Sequence, residues 1–166
     1  MRRAVVLVVL LVAGCTPAPE PDPALTMVTA RAAHTATVLP DGRVLLVGGC
    51  TVDGCAGAGS DTEFYAGGRF APGPRLSGPR FNHTATALAD GRVLVAGGFP
   101  DERSAPSGTA EVFSGGGFAP AGPMTARRGN HTATRHGRRA RVDGQLRDVG
   151  PPDVVRGQRT GAARGL

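Results

Sequence analysis

Between residues 27 and 134 the apolar positions fall into short runs separated by turn-forming residues. His34–Leu39 and His83–Leu88 are rich in β-branched or small residues, which suits a pleated strand. Each run ends in Asp-Gly (Asp41-Gly42, Asp90-Gly91), a strong hairpin dipeptide because glycine accepts positive φ. Arg43–Val47 and Arg92–Ala96 follow as nearly continuous apolar stretches, the pattern of a strand buried on both faces. Gly48-Gly49 and Gly97-Gly98 close those stretches, where the backbone must turn or lie close to a neighbour. Third and fourth strands are predicted at Thr62–Tyr65 with Arg69–Pro72, and at Ala110–Phe113 with Gly117–Pro120.

These runs are two copies of one unit of about 49 residues, and a third copy begins after them. His-Thr-Ala-Thr recurs at His34–Thr37, His83–Thr86 and His131–Thr134, each preceded at three residues by an arginine (Arg31, Arg80, Arg128). A four-stranded antiparallel unit of this period is expected to be one blade of a β-propeller. Arg-x-x-His-Thr-Ala-Thr, Asp-Gly-Arg-Val-Leu-x-x-Gly-Gly and Glu-x-[Tyr/Phe] resemble kelch repeats, in the form similar to the central propeller of galactose oxidase. The resemblance spans residues 27–134, with repeat 1 at 27–75, repeat 2 at 76–123 and the start of repeat 3 at 124–134. Phe70 and Phe118 stand where such repeats usually carry a tryptophan that packs between blades. The fold class expected is therefore all-β, with two kelch-type blades and the start of a third in an incomplete propeller. Each blade buries its faces only on its neighbours, so a pair leaves two apolar faces open. That implies a fragment of a larger propeller, or assembly with other copies and self-association.

The net charge of +6 invites a nucleic-acid reading, and its distribution argues against one. Residues 135–166 hold eight Arg against three Asp, whereas residues 16–134 hold nine Arg against ten acidic residues. The body is nearly neutral and has no basic stripe to follow a phosphate backbone. After Thr134 the repeat breaks into Arg135-His136-Gly137-Arg138-Arg139. Read one base later, the codons of residues 136–142 permit Thr-Ala-Asp-Gly-Arg-Val-Leu, with the recovered Asp seven residues after His131, as Asp41 and Asp90 follow His34 and His83. Residues 135–166 are thus expected to be a disordered basic tail written out of frame, and the chain a truncated product. A genuine basic tail binding anionic lipid or nucleic acid is the alternative.

At the other end, Arg2 and Arg3 precede the apolar run Ala4–Ala13, which is too short for a spanning helix of about 20 residues. The run ends in Val12-Ala13-Gly14-Cys15, which resembles the lipobox of bacterial lipoproteins. That resemblance implies a signal peptide at 1–14, cut before Cys15, whose sulfur then carries a diacylglycerol. Residues 16–26 continue as a proline-rich tether favouring extended polyproline II geometry. Thr16 after the cysteine points to delivery to the outer membrane or cell surface, so the membrane is one expected partner.

Little in the chain suggests catalysis. His34, His83 and His131 sit one repeat apart, which argues for structural bonds to backbone or to the repeated arginine rather than a shared metal ion. Arg43 and Arg92 are expected to serve blade packing or to pair with Glu63 and Glu111. A galactose-oxidase site would need several tyrosines and histidines with a thioether-forming cysteine, and the single tyrosine, Tyr65, is replaced by Phe113 in the next repeat. No enzyme, catalytic residue, metal or other cofactor is expected. Cys50 and Cys55, in the loop after the first Gly-Gly, are expected to form a disulfide in an exported protein; chelation would require two further ligands. The function expected is a non-catalytic, membrane-tethered binding module, its loops 50–61 and 99–108 meeting a protein or glycan ligand. The alternatives are a non-functional truncated product and, least favoured, a galactose-oxidase-like enzyme.

Overall fold

Aspartate sets the first hairpin of each repeat. In the computed structural model, which describes residues 25–136, 139–142 and 145–147, Gly42 and Gly91 take φ of +83° and +85°. Asp41 accepts the Arg43 backbone N–H at 3.1 Å and its Nε–H at 2.8 Å. Asp90 and Arg92 repeat the arrangement at 3.2 and 2.9 Å. The clamp reverses the chain within a few residues and fixes the register of the strands on either side, pairing Val38 with Val44 and Ala87 with Val93.

Two four-stranded antiparallel sheets result. The first comprises β1 (Thr35–Val38), β2 (Val44–Val47), β3 (Thr62–Ala66) and β4 (Arg69–Pro72), hydrogen-bonded in chain order. The second repeats the order with β5 (Thr84–Ala87), β6 (Val93–Ala96), β7 (Ala110–Ser114) and β8 (Gly117–Pro120). The four-strand reading of each repeat and the all-β class are those of the structure, whose described residues have almost no helix beyond a 3₁₀ turn at Asp53–Cys55. The first strands of successive sheets lie side by side, β1 against β5 and β5 against β9 (Ala133–His136), as the inner strands of propeller blades do.

Strand alternation puts two cores on the two faces of the second blade. Val93 and Val95 face the first blade with Phe113, meeting Leu39, Leu45, Val47 and Leu76. Leu94, Ala96, Ala110 and Val112 face the other way, with Leu88 and Met124. All four residues of β6 are buried, matching the near-continuous apolar run. Leu76 and Met124, where new repeats begin, are the knobs that lock each blade to the one before it.

The expectation of a disordered tail from residue 135 is corrected over residues 135–147. Here β9, β10 (Arg139–Val142) and β11 (Gln145–Arg147) form a third antiparallel sheet. The cause is templating. The free edge of β9 offers a row of backbone donors and acceptors, and these pair with any chain that follows, whatever its side-chain pattern. The break in the repeat pattern leaves a mark, because Arg139 pairs with His136 where the first two sheets have a wider Asp-Gly hairpin. The expected signal peptide, Cys15 and most of the expected tether (1–24), like residues 148–166, lie outside the described residues.

Candidate functional site

Each blade is spliced to the next at its double glycine. Gly48, at φ +59°, has no room for a side chain, since a Cβ there would run into the carbonyl oxygen of Arg80 and lie 3.1 Å from the His83 ring. Gly97 stands in the same relation to Arg128 and His131. The second glycine then donates across the junction, Gly49 N–H to the Arg80 carbonyl and Gly98 N–H to the Arg128 carbonyl, both at 2.9 Å. Beside these bonds His83 Nε2 meets Thr35 Oγ1 at 2.9 Å, and His131 Nε2 meets Thr84 Oγ1 at 3.2 Å. A third rung joins backbones directly, Asn82 N–H to the Ala33 carbonyl at 3.1 Å and Asn130 N–H to the Asn82 carbonyl at 3.0 Å.

His83 and His131 each meet a threonine of the preceding repeat, a partner the sequence reading did not name. The sequence hid this because Thr35 and Thr84 lie inside the same His-Thr-Ala-Thr motif that supplies the histidine. Burial pushes the His83 imidazole down to about 3, helped by the positive charge of Arg80, so the ring is neutral at pH 7.

The expected pairing of Arg43 and Arg92 with Glu63 and Glu111 is corrected by the structure. Glu63 is paired with Arg31 and Glu111 with Arg80, each at 2.7 Å and nearly sealed from solvent. Arg43 and Arg92 instead hold Asp41 and Asp90 in the hairpins, and Arg43 also lies over the Phe64 ring at 4.3 Å. Both buried pairs make further hydrogen bonds, although Arg80 Nε is left without a partner. Glu63 takes the N–H groups of Val28 and Thr29 at 2.8 and 2.9 Å, and Arg31 reaches the Gly48 carbonyl at 2.8 Å. Arg80 and Glu111 repeat the plan through the Gly97 carbonyl and Ser77 N–H, both at 3.0 Å.

Away from the splice, the chain after Gly49 forms a stapled loop. Cys50 and Cys55 are joined by a disulfide with Cα atoms 4.9 Å apart. Cys50 bridges both Ala32 and Ala58, which anchors the loop to the blade, and Ala58 N–H donates to Pro100 O at 3.3 Å in the loop of the second blade. Loops 50–61 and 99–108 therefore meet at one end of the stack. A cavity of about 280 Å³ opens beside the disulfide, lined by Arg31, Cys50, Thr51, Val52 and Asp53 among others. Val52, in this loop, is 52% exposed.

No family model matches this sequence, and no curated protein matches it either. Among solved structures the chain is similar to a fungal alcohol oxidase of the AA5 family in complex with copper. Identity is 21%, the TM-score is 0.57, and the match covers 62% of this chain and 24% of the oxidase. This likeness shows the fold: the sheets are galactose-oxidase-type propeller blades. The chain spans about a quarter of that oxidase's length.

The comparison overturns one expectation. The reading that the chain is not an enzyme does not stand, because the architecture it shares is that of a copper alcohol oxidase. The described residues themselves do not fit copper. They contain no group of three His, Cys, Asp or Glu side chains placed to hold a metal ion. Tyr65 packs against Phe70 on a blade face, with ring centroids 4.8 Å apart, and His83 Nε2 is engaged by Thr35.

Proposed function

We propose that the chain is an exported, lipid-anchored scaffold of kelch-type blades whose loops 50–61 and 99–108 form a recognition surface for a protein or glycan. The convergence of those loops carries the reading: a disulfide holds one, the Ala58–Pro100 hydrogen bond ties it to the other, and both stand on rigid sheets. Anchoring rests on the charged n-region, the short apolar run and Val-Ala-Gly-Cys15. Two or three acyl chains would hold the protein firmly, since each buried methylene contributes about 0.8 kcal/mol. Labelling with palmitate should mark the wild type and leave Cys15→Ser blank; equal labelling removes the anchor. For the loops, a glycan array probed with wild type and Val52→Glu should show binding that the variant loses. An array bound equally by both would place recognition elsewhere.

A second reading rests on the solved structure that the chain resembles. On it, the chain supplies blades to an alcohol oxidase of the galactose-oxidase type, with copper held by groups outside the described residues. Alcohol oxidation by the full chain with copper supplied, above a copper-only blank, supports it; no turnover above that blank disposes of it.

A further inference from the structure

The face that the second blade buries against the first has a counterpart on the first blade itself. Val93 and Phe113 are 0% and 5% exposed in the junction, with Phe118 packed beside them. One repeat earlier the same positions are Val44, Tyr65 and Phe70, all part-exposed, with Ala36 and Val38 more open still and Val38 at 66%. Met27, in the place of the buried knob Leu76, is also part-exposed. Strand pairing puts Ala36, Val38, Val44, Tyr65 and Phe70 on one side of the sheet. Among the paired strand residues on that side the charged one is Glu63, and Arg31 neutralises it in place. Leu25 and Val28, each 60% exposed, precede this blade. Such a surface is largely apolar and its charges are paired, Arg31 with Glu63 and, beside them, Arg75 with Asp61, a composition suited to an interface.

We propose that this face docks against the same face of a second copy of the chain, giving a two-fold dimer. The far end of the stack is a poor partner for it. Thr134 and His136 are exposed there, and the three strands of that last sheet hold Arg135, Arg139, Arg141 and Arg147 and no acidic residue, so a head-to-tail contact would press an apolar face against a basic one. A face-to-face contact matches apolar to apolar and keeps the two basic ends apart. It is also self-complementary, so it closes at two copies, whereas a head-to-tail contact forms a larger ring or an open filament. The dimer does not depend on lipidation.

Sedimentation velocity tests it on the full chain bearing Cys15→Ser, so that acyl chains play no part. A monomer–dimer equilibrium that stops at two is expected. Val44→Lys and Tyr65→Lys should each raise the dissociation constant at least about tenfold, as a lysine forced into an interface centre does. Ala126→Lys, exposed at the start of the third repeat and off this face, should leave it unchanged. Circular dichroism establishes that each variant keeps its sheet content, and Tyr65→Lys, already part-exposed, carries the test if Val44→Lys fails to fold. Four results would each overturn the dimer: monomers at every concentration, assembly beyond two, dimers indifferent to both face variants, or dimers equally weakened by Ala126→Lys.

Discussion

Ala33, Asn82 and Asn130 occupy one position in three successive repeats, and all have φ near +50°. Asparagine tolerates that left-handed backbone far better than alanine does. The recurrence of Asn before His was visible in the sequence, but its meaning was not, because Ala33 breaks the pattern and φ cannot be read from a residue name. Ala33→Asn should therefore stabilise the fold by about 0.5–1 kcal/mol in urea titration; a loss of stability would show that Ala33 is held by something other than its backbone conformation. His83 makes a pH prediction. Its folded pKa of about 3 lies below the ordinary value of 6.5, so the unfolded chain binds the proton first as the solution is acidified. The contribution is intact above about pH 6.5 and drains away as pH falls toward 3, at up to about 1.4 kcal/mol per unit. Melting temperatures from pH 7 to 4 should fall more steeply in wild type than in His83→Gln, and parallel slopes would assign the acid sensitivity to other groups.

The strands were legible because their signals are local. Asp-Gly sits two residues from the arginine that clamps it, and β-branched runs flank it on both sides. The ion pairs were not legible for the opposite reason: Arg31 reaches across 32 residues to Glu63, and Arg80 across 31 to Glu111, while Arg43 and Arg92 looked available nearby. Only the pairing of β2 with β3 and of β6 with β7, which sets Leu46 opposite Glu63 and Val95 opposite Glu111, brings those carboxylates to the arginines. The Arg80–Glu111 pair, with side chains 3% and 5% exposed, gives a clear expectation. Glu111→Gln leaves a guanidinium buried without its counter-charge and should cost about 3–5 kcal/mol by denaturant unfolding. Arg80→Met combined with Glu111→Leu should cost less than the sum of the separate changes, since neither partner is then stranded. Strict additivity would mean that the two side chains act independently.

The third sheet tests how far the stack depends on its last strands. Its first strand touches the core of the second blade through Ala133, and β10 and β11 complete its pairing. Removing residues 139–166 would leave β9 as a bare edge, and the melting temperature should drop with a rise in light scattering on heating. An unchanged midpoint would mean that β10 and β11 contribute nothing to the stack. The sequence concealed this sheet because its pattern changes at Arg135 while backbone pairing does not require the pattern. Function was less legible than fold for a related reason. The missing tyrosines and metal ligands argued against an enzyme, yet the chain matches 24% of a copper oxidase, too little for absent side chains to decide the chemistry. The splice at the double glycine has a consequence for how such chains grow. Each repeat brings the carbonyl and histidine that fit its predecessor's glycines and threonine, together with glycines and a threonine of its own. A duplicated segment of about 49 residues, cut at any point within the period, therefore arrives with both halves of the joint already made. Copying DNA lengthens this protein without any interface having to be invented, whereas an insertion of half a period would bring two like halves together and stop the stack there.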